Sequence, residues 1–241
     1  MCTVSFIRVN DTVIITSNRD EHRQRKNAAA PAFHVLQDKK IIFPKDAKAG
    51  GTWFAAADNG TVAVLLNGAF VKHVAGPPYR KSRGLILLDL IGNPDPLSCF
   101  AGMNLDNIEP FTLILFQSGS LHELRWDEKN KYEKRLDAYT NFIWSSATLY
   151  SEEVVAHRKM LFDRFIGSGK IITPQLAHRF HSYNHGDPEN GFVINRLNGI
   201  KTFSITQAVV QPASINFLHN DLIQMQQFEE TMAIHQATTH S

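Results

Sequence analysis

Apolar and polar positions alternate in short runs along most of the chain, and those runs predict strands. Cys2–Val9 and Thr12–Thr16 are β-branched and apolar around the turn-prone pair Asn10-Asp11, which predicts a hairpin. A polar, charged stretch over residues 18–27 ends that hairpin, and a loop through Ala28–Ala30 and Pro31 follows. Thr52–Ala57 and Thr61–Leu66 read as a strand pair around Asp58-Asn59-Gly60. Phe111–Gln117 and Leu121–Trp126 form another around Ser118-Gly119-Ser120, and Tyr139–Ser145, Gly199–Gln211 and Ala213–Leu218 are further strands. Helical spacing is confined to the middle of the chain. Lys81–Ile91 sets Leu85, Leu88 and Ile91 toward a core and is stopped by Asn93-Pro94-Asp95-Pro96. Ser151 caps a helix through Phe165 that Gly167 and Gly169 close, and Thr173-Pro174 opens another over Pro174–Tyr183. The tail from Gln226 is polar and is expected as a helix or a frayed end.

Strands at both ends and helices between them predict an α+β fold and not alternating βαβ units. No repeat, low-complexity tract or linker divides the chain, so residues 1–241 are expected to form one domain.

Composition narrows the function. With 43% hydrophobic and 20% charged residues over 241 positions, the chain can build a core, and disorder throughout is excluded. The 25 basic and 23 acidic residues leave +2, which argues against a nucleic-acid partner. The basic run Arg23–Lys26 lacks interleaved aromatics and reads as a solvated loop. The longest apolar runs, Gly84–Leu88 and Phe111–Phe116, are too short for an integral membrane segment. The first apolar stretch is broken by Arg8, Asn10 and Asp11, so it is no secretory signal. Two cysteines, Cys2 and Cys99, exclude a disulfide scaffold and favour a reducing compartment, so the expected location is cytoplasmic.

The candidate chemistry lies at the start of the chain. Removal of Met1 ahead of a small residue leaves Cys2 with a free α-amine beside its thiol. An N-terminal amine has a pKa of about 7.7–8.0 and a thiol about 8.5, so one residue can supply nucleophile and base. The bland alternative is a small apolar residue at a strand start. A tight hairpin brings Cys2 beside Asn18-Arg19-Asp20-Glu21, where Asp20 can orient the amine and Arg19 can lower the thiol pKa. The bland alternative there is a solvated turn.

Met1-Cys2, a hairpin running into Asn18-Arg19-Asp20-Glu21, then Gly50-Gly51-Thr52-Trp53 and Ser82-Arg83-Gly84 occur in the order of a known family. In this combination the chain resembles the NRDE family, similar to the transport and Golgi organisation 2 proteins, over nearly its whole length. The resemblance implies the fold of N-terminal-nucleophile hydrolases, a four-layer αββα sandwich of two antiparallel sheets flanked by helices. Within that superfamily the chain resembles the cysteine branch, which includes bile-salt hydrolase and penicillin V acylase. By that resemblance Cys2 is the nucleophile, Arg19 and Asp20 its charged partners, and Asn67 an oxyanion donor. Asn18, Glu21, Trp53, Phe54 and Ser146 are expected to line the ligand site, with Ser146 near the position of a second asparagine. Arg19 and Asp20 are adjacent here, where the superfamily sets its arginine three residues before the aspartate. The late strand reads Lys201-Thr202-Phe203-Ser204 and lacks an arginine that many members carry, so the expectation is either a site rebuilt with Arg196 or weak catalysis.

The implied activity is hydrolysis or acyl transfer at the C–N bond of a small amide with an apolar acyl part, without a cofactor. The alternative is a non-catalytic ligand carrier on the same fold, for haem or for lipid or acyl-CoA, with Cys2 or His73 as a haem ligand. His178, His181 and His185 share a helical face but lack an accompanying metal motif; surface positions or stacking on Phe180 and Tyr183 are expected, with no metal. Gly50-Gly51 lacks the Gly-Lys-Ser/Thr ending of a phosphate loop and reads as a close backbone approach or a positive-φ turn.

Overall fold

The computed structural model describes residues 2–73, 76 and 78–235 and, at Cys2, the main chain. β1 (Cys2–Val9) and β2 (Thr12–His22) form the expected hairpin, with Asn10 at φ 54° in the turn. Strand β2 continues six residues beyond its apolar part, so the polar stretch is not the turn that its composition suggests. β3 (Ala29–Leu36) occupies the expected loop and pairs with β4 (Lys39–Lys45), which continues into β5 (Phe54–Ala57) and β6 (Val62–Asn67). Helices α1 (Arg83–Gly92) and α2 (Pro96–Gly102) follow, the second begun by Asp95 accepting from the Ser98 amide. β7 (Phe111–Gln117) and β8 (Ser120–Trp126) turn through Ser118 and Gly119, both at positive φ, the conformation that matches strand twist. β9 (Lys131–Leu136), almost wholly polar, and β10 (Phe142–Ser145) lead to α3 (Glu152–Ile166) and α4 (Pro174–His181). β11 (Ile200–Val210), β12 (Ser214–Asp221) and β13 (Gln226–Ala233) end the described chain.

The polar tail is therefore a strand as far as Ala233, not a helix or a frayed end. An edge strand needs backbone pairing on one side only, and its solvent side accepts Glu229 and Glu230. Met232 is the one buried side chain of β13 and joins the core. Residues 236–241 lie outside the described residues.

The strands form a six-stranded sheet in the order β10-β1-β2-β11-β12-β13 and a seven-stranded sheet in the order β3 to β9, both antiparallel. Phe6, Ile15, Phe54, Val64, Ile114 and Phe217 pack between the two sheets. Ile86, Leu87 and Leu90 of α1 cover Ala55, Ala63 and Leu113 on the outside of the larger sheet. Phe162 of α3 and Phe180 of α4 cover Ile7 and Ile14 on the outside of the smaller one. The fold is the expected αββα sandwich. No helix among the described residues is long and apolar enough to cross a membrane.

One close crossing sets the direction of α1. A Cβ on Gly51 would lie 2.4 Å from the Gly84 carbonyl carbon, and the Thr52 amide donates to the Gly84 oxygen at 3.3 Å. Gly50 supplies the positive φ, 70°, that turns the chain into this crossing. Gly51→Ala is expected to destabilise the protein by roughly 3 kcal/mol, because backbone cannot yield as a flexible side chain does. Urea denaturation of the variant beside wild type checks this.

Candidate active site

Strand side chains alternate between faces, and β2 divides its four polar residues accordingly. Asn18 and Asp20 face the layer of α3 and α4, where their partners lie; Arg19 and Glu21 face the other sheet. Asn18 and Asp20 are wholly buried and Arg19 is 4% exposed.

Asp20 accepts from the Tyr150 hydroxyl at 2.6 Å and from the Thr202 hydroxyl at 2.7 Å. Burial pushes its carboxyl above the usual range, against the pull of the nearby Arg158 guanidinium and these two hydrogen bonds. Arg158, on α3 and fully buried, stacks 3.6 Å from the Tyr150 ring and donates to Thr3 Oγ1 and to the carbonyls of Asn190 and Gly191. Arg196 approaches the same ring at 5.2 Å, but it donates to Glu189, Asn190 and Leu149 and not to Asp20. The buried cation of this network is Arg158.

Asn18 clamps the end of α4. Its amide nitrogen donates to the carbonyls of His181, at 2.9 Å, and Phe192, at 3.1 Å, and its oxygen meets His181 Nδ1. Nδ1 therefore carries the proton, and Nε2 accepts from the Ser5 hydroxyl at 2.7 Å. His181 is buried, unlike the expected surface histidine, and burial lowers its pKa to about 3. His185 does stack near Phe180, at 5.0 Å. No group of three metal-ligand side chains is placed to hold an ion among the described residues.

Arg19 binds Asp46 at 2.7 Å and Glu21 at 3.4 Å, and its guanidinium lies 4.3 Å from the Trp53 ring. Burial alone would raise the Asp46 pKa, but the Ala49 amide, Arg25 and Arg19 hold its carboxyl below the usual range. Arg19, Glu21, Trp53 and Asn67 share the wall of a polar cavity of about 640 Å³. The Asn67 carboxamide makes no hydrogen bond among the described residues. A second cavity of about 800 Å³ is lined by Leu66, Phe70, Val71, Ile143, Trp144 and Val155, among others, and is more apolar. In register, Cys2 pairs with Arg19, and the next residue, Thr3, pairs with Ser145, which lines the apolar cavity. The start of β1 thus lies between the two cavities.

Three residues expected at the ligand site sit elsewhere, and the first is Asn18, which is committed to α4 and lines neither cavity. Phe54 packs edge-on against Phe217 in the inter-sheet core, at 5.6 Å, and lines neither cavity. Ser146 donates to the Asn67 carbonyl at 2.8 Å, so it braces the strand end that carries Asn67. Phe203, where the family pattern has arginine, is the extra residue of a bulge in β11 and lies 5.6 Å from the Arg19 guanidinium.

The profile of the Transport and Golgi organisation 2 family matches residues 1–185. The chain belongs to that family. Its fold is similar to that of the C2A mutant of conjugated bile acid hydrolase from Clostridium perfringens. That match has a TM-score of 0.56 at 10% identity and covers 99% of this chain and 98% of the other. A Caenorhabditis elegans N-acylethanolamine-hydrolyzing acid amidase ortholog matches with a TM-score of 0.62 at 10% identity, covering 86% and 92%. None of the curated proteins matches the sequence.

In this family member the sequence reading missed Arg158, Tyr150, Asp46 and Arg25. The helical pattern sets Arg158 among polar neighbours, and only the fold turns it inward. Arg158→Met is expected to cost about 3–5 kcal/mol, because it leaves the Asp20 carboxylate without its cation; calorimetric melting checks this. His181 is neutral when folded, its pKa lowered from 6.5 to about 3, whereas the unfolded chain binds a proton there. Stability therefore falls as pH drops below about 6.5, by up to about 1.4 kcal/mol per pH unit for this residue. His181→Gln should be less stable at neutral pH and show a shallower fall, read by denaturation at a series of pH values.

Proposed function

We propose that this protein is an N-terminal-cysteine amide hydrolase or acyl-transfer enzyme acting on a small amide with an apolar acyl half. The observation that carries this reading is the start of β1, opposite buried Arg19 and between an apolar and a polar cavity. The likeness to a conjugated bile acid hydrolase and an N-acylethanolamine-hydrolyzing amidase supports it at the level of fold.

With Met1 removed, the α-amine of Cys2 takes the thiol proton. Asp20, the residue after Arg19 on β2, is the group that orients this amine. Arg19 supplies positive charge that favours the thiolate. The thiolate attacks the carbonyl carbon, and the carboxamide of Asn67, without a hydrogen bond among the described residues, donates to the developing oxyanion. The C–N bond breaks, the ammonium of Cys2 protonates the departing amine, and a thioester remains. Water then releases the acid and restores the thiol; a second acceptor in place of water gives acyl transfer. The apolar cavity takes the acyl chain.

A carrier on the same fold is the second reading, favoured by Phe203 at the position of the family's arginine. The intact mass of protein purified from cells separates the two. Loss of Met1 is expected, together with hydrolysis of N-acyl amides that Cys2→Ala reduces to the background rate. Retained Met1, or turnover that survives Cys2→Ala, overturns the nucleophile assignment and leaves the carrier.

A further inference from the structure

The network around Asp20 meets the apolar cavity at one side chain. Asp20 is wholly buried and lines neither cavity. Its two oxygens accept one hydrogen bond each, from Thr202 at 2.7 Å and from Tyr150 at 2.6 Å. Thr202 lines neither cavity, and its hydroxyl also accepts from the Ile194 amide at 2.9 Å. Tyr150 does line the apolar cavity, although it is only 6% exposed. Among the described residues it is the one that touches that cavity and Asp20 at once.

The surroundings of Tyr150 fix this double contact. Its amide donates to the Ser146 carbonyl at 3.3 Å, in the turn that follows β10. The Arg158 guanidinium lies 3.6 Å from its ring and that of Arg196 5.2 Å away. Burial and the neighbouring Asp20 carboxylate hold the hydroxyl proton well beyond the ordinary tyrosine range, so the group stays a donor at neutral pH. A carboxylate accepts about four hydrogen bonds, so Asp20 keeps capacity beyond these two. The charged and titratable groups that act on it are Arg158 from α3, Tyr150 from the turn and the amino terminus of the chain, while Thr202 from β11 is a neutral donor. Arg158 also holds Thr3, the residue after Cys2.

We propose that Tyr150 is a positioning residue for the reaction: its hydroxyl holds the Asp20 carboxylate ready for the α-amine of Cys2, while its ring walls the cavity that takes the acyl chain. This rests on the reading of Cys2 as nucleophile. Donation from Tyr150 favours the ionised carboxylate, the carboxylate favours the ammonium, and the ammonium favours the thiolate. Loss of the hydroxyl therefore raises the pH at which Asp20 ionises, and with it the pH at which Cys2 becomes reactive.

The test reads Cys2 directly. Alkylation by iodoacetamide is followed against pH in the full-length protein, by peptide mass so that Cys99 is scored apart. Tyr150→Phe keeps the ring against Arg158 and the cavity and removes only the hydroxyl. Its alkylation midpoint is expected about one pH unit above that of wild type, the worth of one hydrogen bond to a charged group. A fluorinated tyrosine at position 150 keeps the packing, donates more strongly and should move the midpoint the opposite way, which a merely structural role does not. On N-dodecanoylethanolamine, Tyr150→Phe should lower kcat about tenfold and leave KM unchanged. A midpoint unmoved in both variants, a shift in the same direction in both, or a kinetic change confined to KM overturns the proposal. Wild-type turnover separates its failure from that of the hydrolase reading. Turnover with an unmoved midpoint removes the positioning role alone, and a midpoint that moves in a protein without turnover removes the hydrolase alone.

Discussion

Burial of the Asp20 carboxyl within a six-stranded sheet constrains everything around it. A carboxylate leaves water only with hydrogen bonds and a cation to replace hydration. Tyr150, from the connection between β10 and α3, and Thr202, from β11, supply the bonds, and Arg158 from α3 supplies the charge. Three separated parts of the chain therefore converge on one residue of β2. Arg158 in turn binds Thr3, so the strand that begins with Cys2 is fixed to the same network. The position of the candidate nucleophile follows from the electrostatics of a neighbour on the next strand.

The period of the strand divides the labour. Asn18 and Asp20 tie the sheet to its helices, while Arg19 and Glu21 reach the second sheet and its Asp46 loop. A run of polar residues that looks like a solvated turn is instead a two-sided joint between layers. The second joint is steric. Gly51 and Gly84 approach so closely that neither can carry a side chain, and this contact brings the start of α1 to the wall of the polar cavity. Two of the motifs that mark the family are thus the two halves of one crossing.

Charge is distributed to match. Buried histidines His181 and His219 are held neutral by desolvation, with pKa values lowered to about 3 and about 4. The charged groups gather instead at the cavity that Arg19 overlooks, where arginines pair with Glu21, Asp46 and Glu109. The apolar cavity lies on the other side of Asn67, whose neighbours Leu66 and Gly68 line it.

The sequence by itself determined the first hairpin, the three helices of clear period, a close approach or turn at Gly50-Gly51 and the family, because these rest on local turn chemistry, periodicity and short motifs; that Gly84 is the partner of Gly51 came from the fold. Of the residues singled out with Cys2, Arg19 and Asn67 share the wall of the polar cavity, whereas Asp20 faces the helices. Strands β3, β9 and β13 were not legible in the sequence, since paired backbone needs no apolar signature at a sheet edge, and β4 was missed although Ile41, Ile42 and Phe43 are apolar and buried. Nor were Arg158, Tyr150 and Asp46, which lie 138, 130 and 26 residues from Asp20 along the chain. Phe54 and Ser146 were assigned to the ligand, and packing gave one to the core and the other to bracing Asn67. What only the tertiary structure decided is which polar groups find partners inside, because desolvation is settled by residues distant in sequence that meet only once the layers close.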